Sequence, residues 1–152
     1  MIQRVQSIWL FLAGLTLFLL LILPIITKHN YTGDFSLQVG GIYQKGAKVT
    51  QKIESYSALF GETILIGAIC VANIFFFRNR TLQKRITLLA ILLIIQLAVW
   101  IAFYVTKFPG GMDGTTFGAG AYLPLPAIIF CALAFRGIRK DEQLIRSADR
   151  LR

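Results

Sequence analysis

One stretch limits this chain more than any other: Arg78 to Thr106, RNRTLQKRITLLAILLIIQLAVWIAFYVT. It opens on four cations, Arg78, Arg80, Lys84 and Arg85, and then runs from Ile86 to Thr106 without a charged side chain. As a helix, those uncharged residues reach roughly 32 Å, at about 1.5 Å per residue. A bilayer's hydrocarbon core is about 30 Å thick. Apolar residues occupy every side of such a helix, so it offers water no face. The stretch reads as a membrane span, and the cations ahead of it mark the cytoplasmic side.

Composition agrees. Of 152 residues, 56% are hydrophobic and only 15% are charged. A water-soluble domain of this size lacks the charge to cover so much apolar surface. One integral membrane domain over residues 1–152 is expected. The net charge of +9 invites a nucleic-acid reading. The cations cluster at the ends of apolar runs, however, which favours anionic lipid headgroups as partners and excludes nucleic acid. Cys70 and Cys131 both lie inside apolar segments, so they read as small buried hydrophobes and not as a redox or disulfide framework.

Four spans are expected, at about 8–26, 56–77, 86–106 and 118–135. The first ends near Pro24 and carries no small-residue cleavage signal after it, so it reads as uncleaved. Between the first two spans lies the longest polar region. Phe35, Leu37 and Val39 alternate there with Ser36 and Gln38, and Gly40-Gly41 is a turn signal. This pattern allows a small β-hairpin, or three short strands, in the first outer loop. Asn79 to Arg85 reads as a short basic loop joining antiparallel spans. Lys107 to Phe117 is glycine-rich and reads as irregular loop. Pro124 and Pro126 place the regular part of the fourth span from about Leu123, with Gly118 to Tyr122 packed against protein. Residues 136–152 have helical spacing, with Ile138, Ile145, Ala148 and Leu151 on one stripe and Glu142 four residues ahead of Arg146. They either continue the fourth helix into the cytoplasm or lie along the membrane.

The fold expected is therefore an all-α membrane protein: an up-down-up-down four-helix transmembrane bundle with a cytoplasmic C-terminal helix. With both termini inside, eleven cations fall on inner segments and five on outer ones, which supports that orientation.

Few residues invite chemistry. Glu62 is the one acid inside an apolar segment, and a carboxylate at depth usually has a reason. One reading is a proton or cation site. The other is a place near the outer headgroups, bonded to a hydroxyl or to Lys107. Asn73 is eleven residues on and Ser55 seven before, so all three share one side of a helix. Gln96 lies midway along the third span, with Trp100 one turn further, and a central amide commonly bonds across to another helix. Ala68 and Ala72, Gly14 and Gly118 are small residues that permit close approach. Arg78, Arg80, Lys84, Arg85, Arg136, Arg139 and Lys140 are the candidates for contact with lipid headgroups or a partner. His29 is the sole histidine, and no second ligand is spaced to help it, so neither metal nor cofactor is expected. No nucleophile–base–acid set or phosphate-cradling loop is present. Asn30-Tyr31-Thr32 matches a short glycosylation sequon.

Both ends of the chain carry a likeness. The start, Met1-Ile2-Gln3-Arg4-Val5-Gln6-Ser7, and the tail, Arg136-Gly137-Ile138-Arg139-Lys140-Asp141-Glu142 through Ile145-Arg146-Ser147-Ala148-Asp149-Arg150-Leu151-Arg152, resemble domain of unknown function family 4293. That resemblance implies a small four-span protein of the bacterial inner membrane, from Bacteroidota, and brings no activity with it. The functional expectation is a non-enzymatic accessory or scaffold subunit with a membrane-protein partner or a second copy of itself. The alternative is a small transporter or lipid-binding protein using Glu62, Asn73 and Gln96.

Overall fold

A computed structural model describes residues 3–30, 33–45, 50–108 and 114–149. Most of the sequon, Pro109 to Gly111 and the last three residues fall outside these. So do the side chains of Arg4, His29, Arg78, Ile145, Arg146 and Ala148.

Four helices and one antiparallel sheet make up the described chain. The helices are α1 (Gln3–Leu20), α2 (Ser57–Ala72), α3 (Arg80–Thr106) and α4 (Pro124–Asp149). They pack in a ring, α1 against α2 and α4, and α3 against the same two. The runs Ser57–Phe77, Arg80–Thr106 and Ala119–Leu144 are long and apolar enough to cross a membrane, while Val5–Leu20 is apolar but shorter.

Each helix turns one seam inward. Leu10, Ala13, Leu17 and Leu20 are buried on α1. On α3 the buried positions are Gln83, Thr87, Ala90, Ile94, Leu97, Ile101 and Val105. On α4 they are Ala127, Cys131, Ala134, Ile138 and Asp141. Alternating steps of three and four keep a seam on one face of a helix, as in coiled-coil packing. Gly14 and Gly67 let α1 and α2 close in. A Cβ on Gly14 would lie 2.9 Å from Val71, and one on Gly67 3.1 Å from the Phe18 ring.

The expected boundaries shift for local reasons. The first span was expected to reach residue 26, but α1 stops at Leu20. Pro24 has no N–H and pushes Leu23 out of helical geometry. Three turn hydrogen bonds, from the N–H groups of Leu21, Ile22 and Leu23, close the helix, and Ile25 already donates to the Leu37 carbonyl. At the other side of the ring, α2 tightens into a 3-10 segment, Asn73–Arg78, that makes the reversal. Asn79 then caps α3, its Oδ1 accepting from the Leu82 N–H at 3.2 Å. The basic residues after Asn79 are thus the first turns of α3 and not a loop. Pro124 opens α4 at the first helical position, where its missing N–H has no consequence. The helix then continues unbroken into the tail, as far as Asp149.

The sheet is larger than the expected hairpin. It has five strands, β1 (Ile26–Asn30), β2 (Gly33–Gln38), β3 (Gly41–Lys45), β4 (Thr50–Ser55) and β5 (Thr115–Phe117). Their order is β4-β3-β2-β1-β5. The fifth strand comes from the segment expected to be irregular, and pairs Ile26 with Phe117 and Lys28 with Thr115. Ile26, Leu37 and Ile42 face one another across three strands. All three are buried in one core with Leu20, Leu59, Ile101 and Val105. The sheet therefore closes the end of the helices where α1 finishes and α2 begins. Ser55, expected on the Glu62 side of a helix, belongs to β4 instead.

Candidate functional site

Polar groups inside this apolar body gather mostly at the end away from the sheet. Asp141 continues the buried seam of α4, on the same stripe as Ile138, and is 5% exposed. The Gln6 Nε2 donates to its Oδ2 at 2.6 Å, and the Arg80 guanidinium stands 3.4 Å from the same oxygen. Gly137 gives Gln6 its space, since a Cβ there would sit 2.9 Å from the glutamine Cγ. Beside it, the Lys84 Nζ, one turn into α3 from Arg80, donates to Glu142 Oε2 at 2.6 Å. One buried carboxylate thus joins α1, α3 and α4.

Asn73 performs the same service between the end of α2 and α3. Its Nδ2 donates to the Gln83 carbonyl at 3.2 Å and to Thr87 Oγ1 at 2.8 Å. In return the Gln83 Nε2 donates to the Asn73 carbonyl at 3.2 Å. Thr87 donates to the Gln83 carbonyl within its own helix. The Asn73 Oδ1 is buried with no partner among the described residues. A polar notch of about 200 Å³ lies at the Lys84–Glu142 pair, lined by Lys84, Arg139, Glu142 and Gln143. Arg85, Arg136, Arg139 and Lys140 are exposed.

The three intramembrane candidates do not converge. Asn73 is fully enclosed near the basic end. Glu62 is half-buried three turns away toward the sheet. Its Oε2 is enclosed and has no hydrogen-bond partner among the described residues. The expected bond to Lys107 is absent, because the Lys107 Nζ stands over the Phe103 ring, 4.4 Å from its centre. Gln96 is exposed, on the outer side of α3, and bonds to no other helix among the described residues. Trp100 accompanies it outward. Ala68 and Ala72 also face out. Gly118 makes the close approach expected of it, since a Cβ there would lie 2.3 Å from the Pro24 carbonyl oxygen.

At the sheet end, every residue of β4 from Gln51 to Ser55 is exposed except for its ladder to β3. An apolar cleft of about 360 Å³ lies below β5, lined by residues that include Ile25, Ala98, Ala102 and Phe117. Cys70 and Cys131 are both free and buried. Among the described residues, no three His, Cys, Asp or Glu side chains come together as a metal site would need.

Gln6, Gln83, Thr87 and Asp141 were not singled out from the sequence. The signal existed for Asp141, which falls between Ile138 and Ile145 on the helical stripe. Its charge argued against reading it as core.

Four helices bound at one end by a sheet and at the other by a polar lock make a small, mostly helical protein, three of whose helices are long and apolar enough to cross a membrane. The chain belongs to the family described as Domain of unknown function (DUF4293), whose model matches residues 2–151, essentially its whole length. No curated protein matches the sequence.

Proposed function

We propose that this is a four-pass inner-membrane protein with both termini cytoplasmic, acting as a non-enzymatic accessory or scaffold subunit. Its helices form an up-down-up-down transmembrane bundle that holds the small sheet at the outer surface and the cationic ends at the inner one. The charge distribution supports the orientation: Arg80, Lys84, Arg85, Arg136, Arg139 and Lys140 all lie at the end opposite the sheet. Exposed cations there suit anionic headgroups, each worth about 1 kcal/mol near a charged leaflet.

The observation that carries the scaffold reading is where the polar side chains are used. Gln6, Asn73, Gln83, Thr87 and Asp141 bond to one another and fix helix to helix. A transport path needs such groups to line a route instead. Meanwhile the β4 edge stays open, and an open edge is a template for another strand. The test is purification in mild detergent with mass spectrometry, repeated on a chain with Ile53→Pro in β4. A stoichiometric partner lost in the variant supports the reading. A chain that runs alone at every expression level ends it.

A second reading, a small transporter or lipid-binding protein, retains one specific observation, the enclosed and unbonded Oε2 of Glu62. On that reading Glu62→Gln abolishes pH-dependent transport in vesicles, and unchanged transport removes it.

A further inference from the structure

Gln96 stands ten residues from Ile86 and ten from Thr106, at the centre of the uncharged run. At about 1.5 Å per residue, its amide is roughly 15 Å from either membrane surface, beyond the reach of its own side chain. It is exposed, and its side-chain amide makes no hydrogen bond among the described residues. Its neighbours on that face are apolar and exposed as well: Leu92 at 62%, Val99 at 63% and Phe103 at 52%. An amide offers two donors and an acceptor, and hydrocarbon satisfies none of them.

We infer that a second copy of this chain covers the Gln96 face of α3, with the two Gln96 amides hydrogen-bonded to each other. The inference rests on the membrane reading above. Two copies inserted in the same direction are related by a two-fold axis along the membrane normal. Any residue then meets its mate at equal depth, so α3 against α3 sets Gln96 opposite Gln96. The amide is self-complementary, its N–H₂ matching the other's carbonyl in both directions. A different protein would have to supply a polar group at that one depth. The same face carries a charge near each end: Arg85, three turns toward the basic end, and Lys107, three turns the other way, with its Nζ over the Phe103 ring. Both lie at headgroup level, where a crossing angle of about 20° splays the helices and lipid headgroups separate each cation from its mate.

The experiment uses the full chain in vesicles of phosphatidylethanolamine and phosphatidylglycerol, at a low protein-to-lipid ratio, with association read by single-molecule photobleaching. Alkaline carbonate extraction of the same vesicles reports membrane integration separately, so failure of the membrane reading is told apart from failure of the pairing. The wild-type chain bleaches in two steps. Gln96→Leu, which keeps the face apolar and the fold intact, weakens pairing about threefold to thirtyfold, as expected of an interhelical amide bond in a membrane. In a chain without Cys70 and Cys131, Gln96→Cys forms an oxidised dimer, whereas Leu65→Cys on the exposed side of α2 does not. One-step bleaching of an integrated wild-type chain, or equal pairing by Gln96→Leu, overturns the inference.

Discussion

The two ends of the helices are joined by different means. At the sheet end the contacts are made by backbone. Ile25 donates to Leu37, Gly118 to Ile25 and Gly120 to Pro24, and glycines let the main chains touch. At the basic end they are made by side chains, with Gln6, Arg80 and Asp141 in one set and Asn73, Gln83 and Thr87 in another. Backbone ladders fix position whatever the side chains are, but they tolerate no added atom. Side-chain locks depend on identity, and each is removable by one substitution. The first end is therefore sensitive to size and the second to chemistry.

The sharpest test of that contrast is Gly118→Ala. Its Cβ would meet main-chain atoms of Pro24 at 2.3 and 3.0 Å, which cannot move aside as a side chain can. A loss of about 3 kcal/mol is expected, read as an earlier thermal transition in detergent. A transition unchanged from wild type would end the claim that the sheet end is locked by close backbone. Next is Asp141→Ala, which strands the Gln6 amide and leaves Arg80 unpaired, with an expected loss of about 2 kcal/mol. Restoration by Asp141→Asn should be partial, since Gln6 keeps an acceptor while Arg80 loses its counter-charge. Asn73→Ala comes third, at about 1 kcal/mol. It removes two donated bonds but also an oxygen that has no partner. The smallest effect is Lys84→Met, at about 0.5 kcal/mol, because that pair is partly in water. Salt should shrink this last difference and leave the Gly118 effect untouched.

Much of the layout was legible because a long uncharged run has few soluble uses. The alternation of Phe35, Leu37 and Val39 likewise announced a strand, and Leu37 and Val39 are indeed buried. The rest of the sheet was hidden for two reasons. Ile25 and Ile26 continue an apolar run, and hydropathy alone cannot separate a greasy helix end from a strand in a core. Thr115 to Phe117 is too short to signal anything locally, and its pairing with Ile26 spans most of the chain. Helix faces were hidden too. When a segment is apolar all round, the seam leaves no amphipathic trace, so Asn73 turning inward and Gln96 turning outward look alike in the sequence. Once one buried position on α3 is known, the three-and-four spacing of Gln83, Thr87, Ala90 and Ile94 gives the rest.

The early end of α1 has a consequence for the lipid around the protein. The helix α1, Gln3–Leu20, is 18 residues, against 27 for Arg80–Thr106. At about 1.5 Å per residue the first is roughly 27 Å tall, about 3 Å less than the usual hydrocarbon thickness. On the four-pass reading, this protein has a low corner. Acyl chains beside α1 must compress, or the first row of the sheet must dip to meet them. Mismatch of that size, at fractions of a kcal/mol per Å, draws the protein toward thin membranes and toward neighbours that share the same dimple.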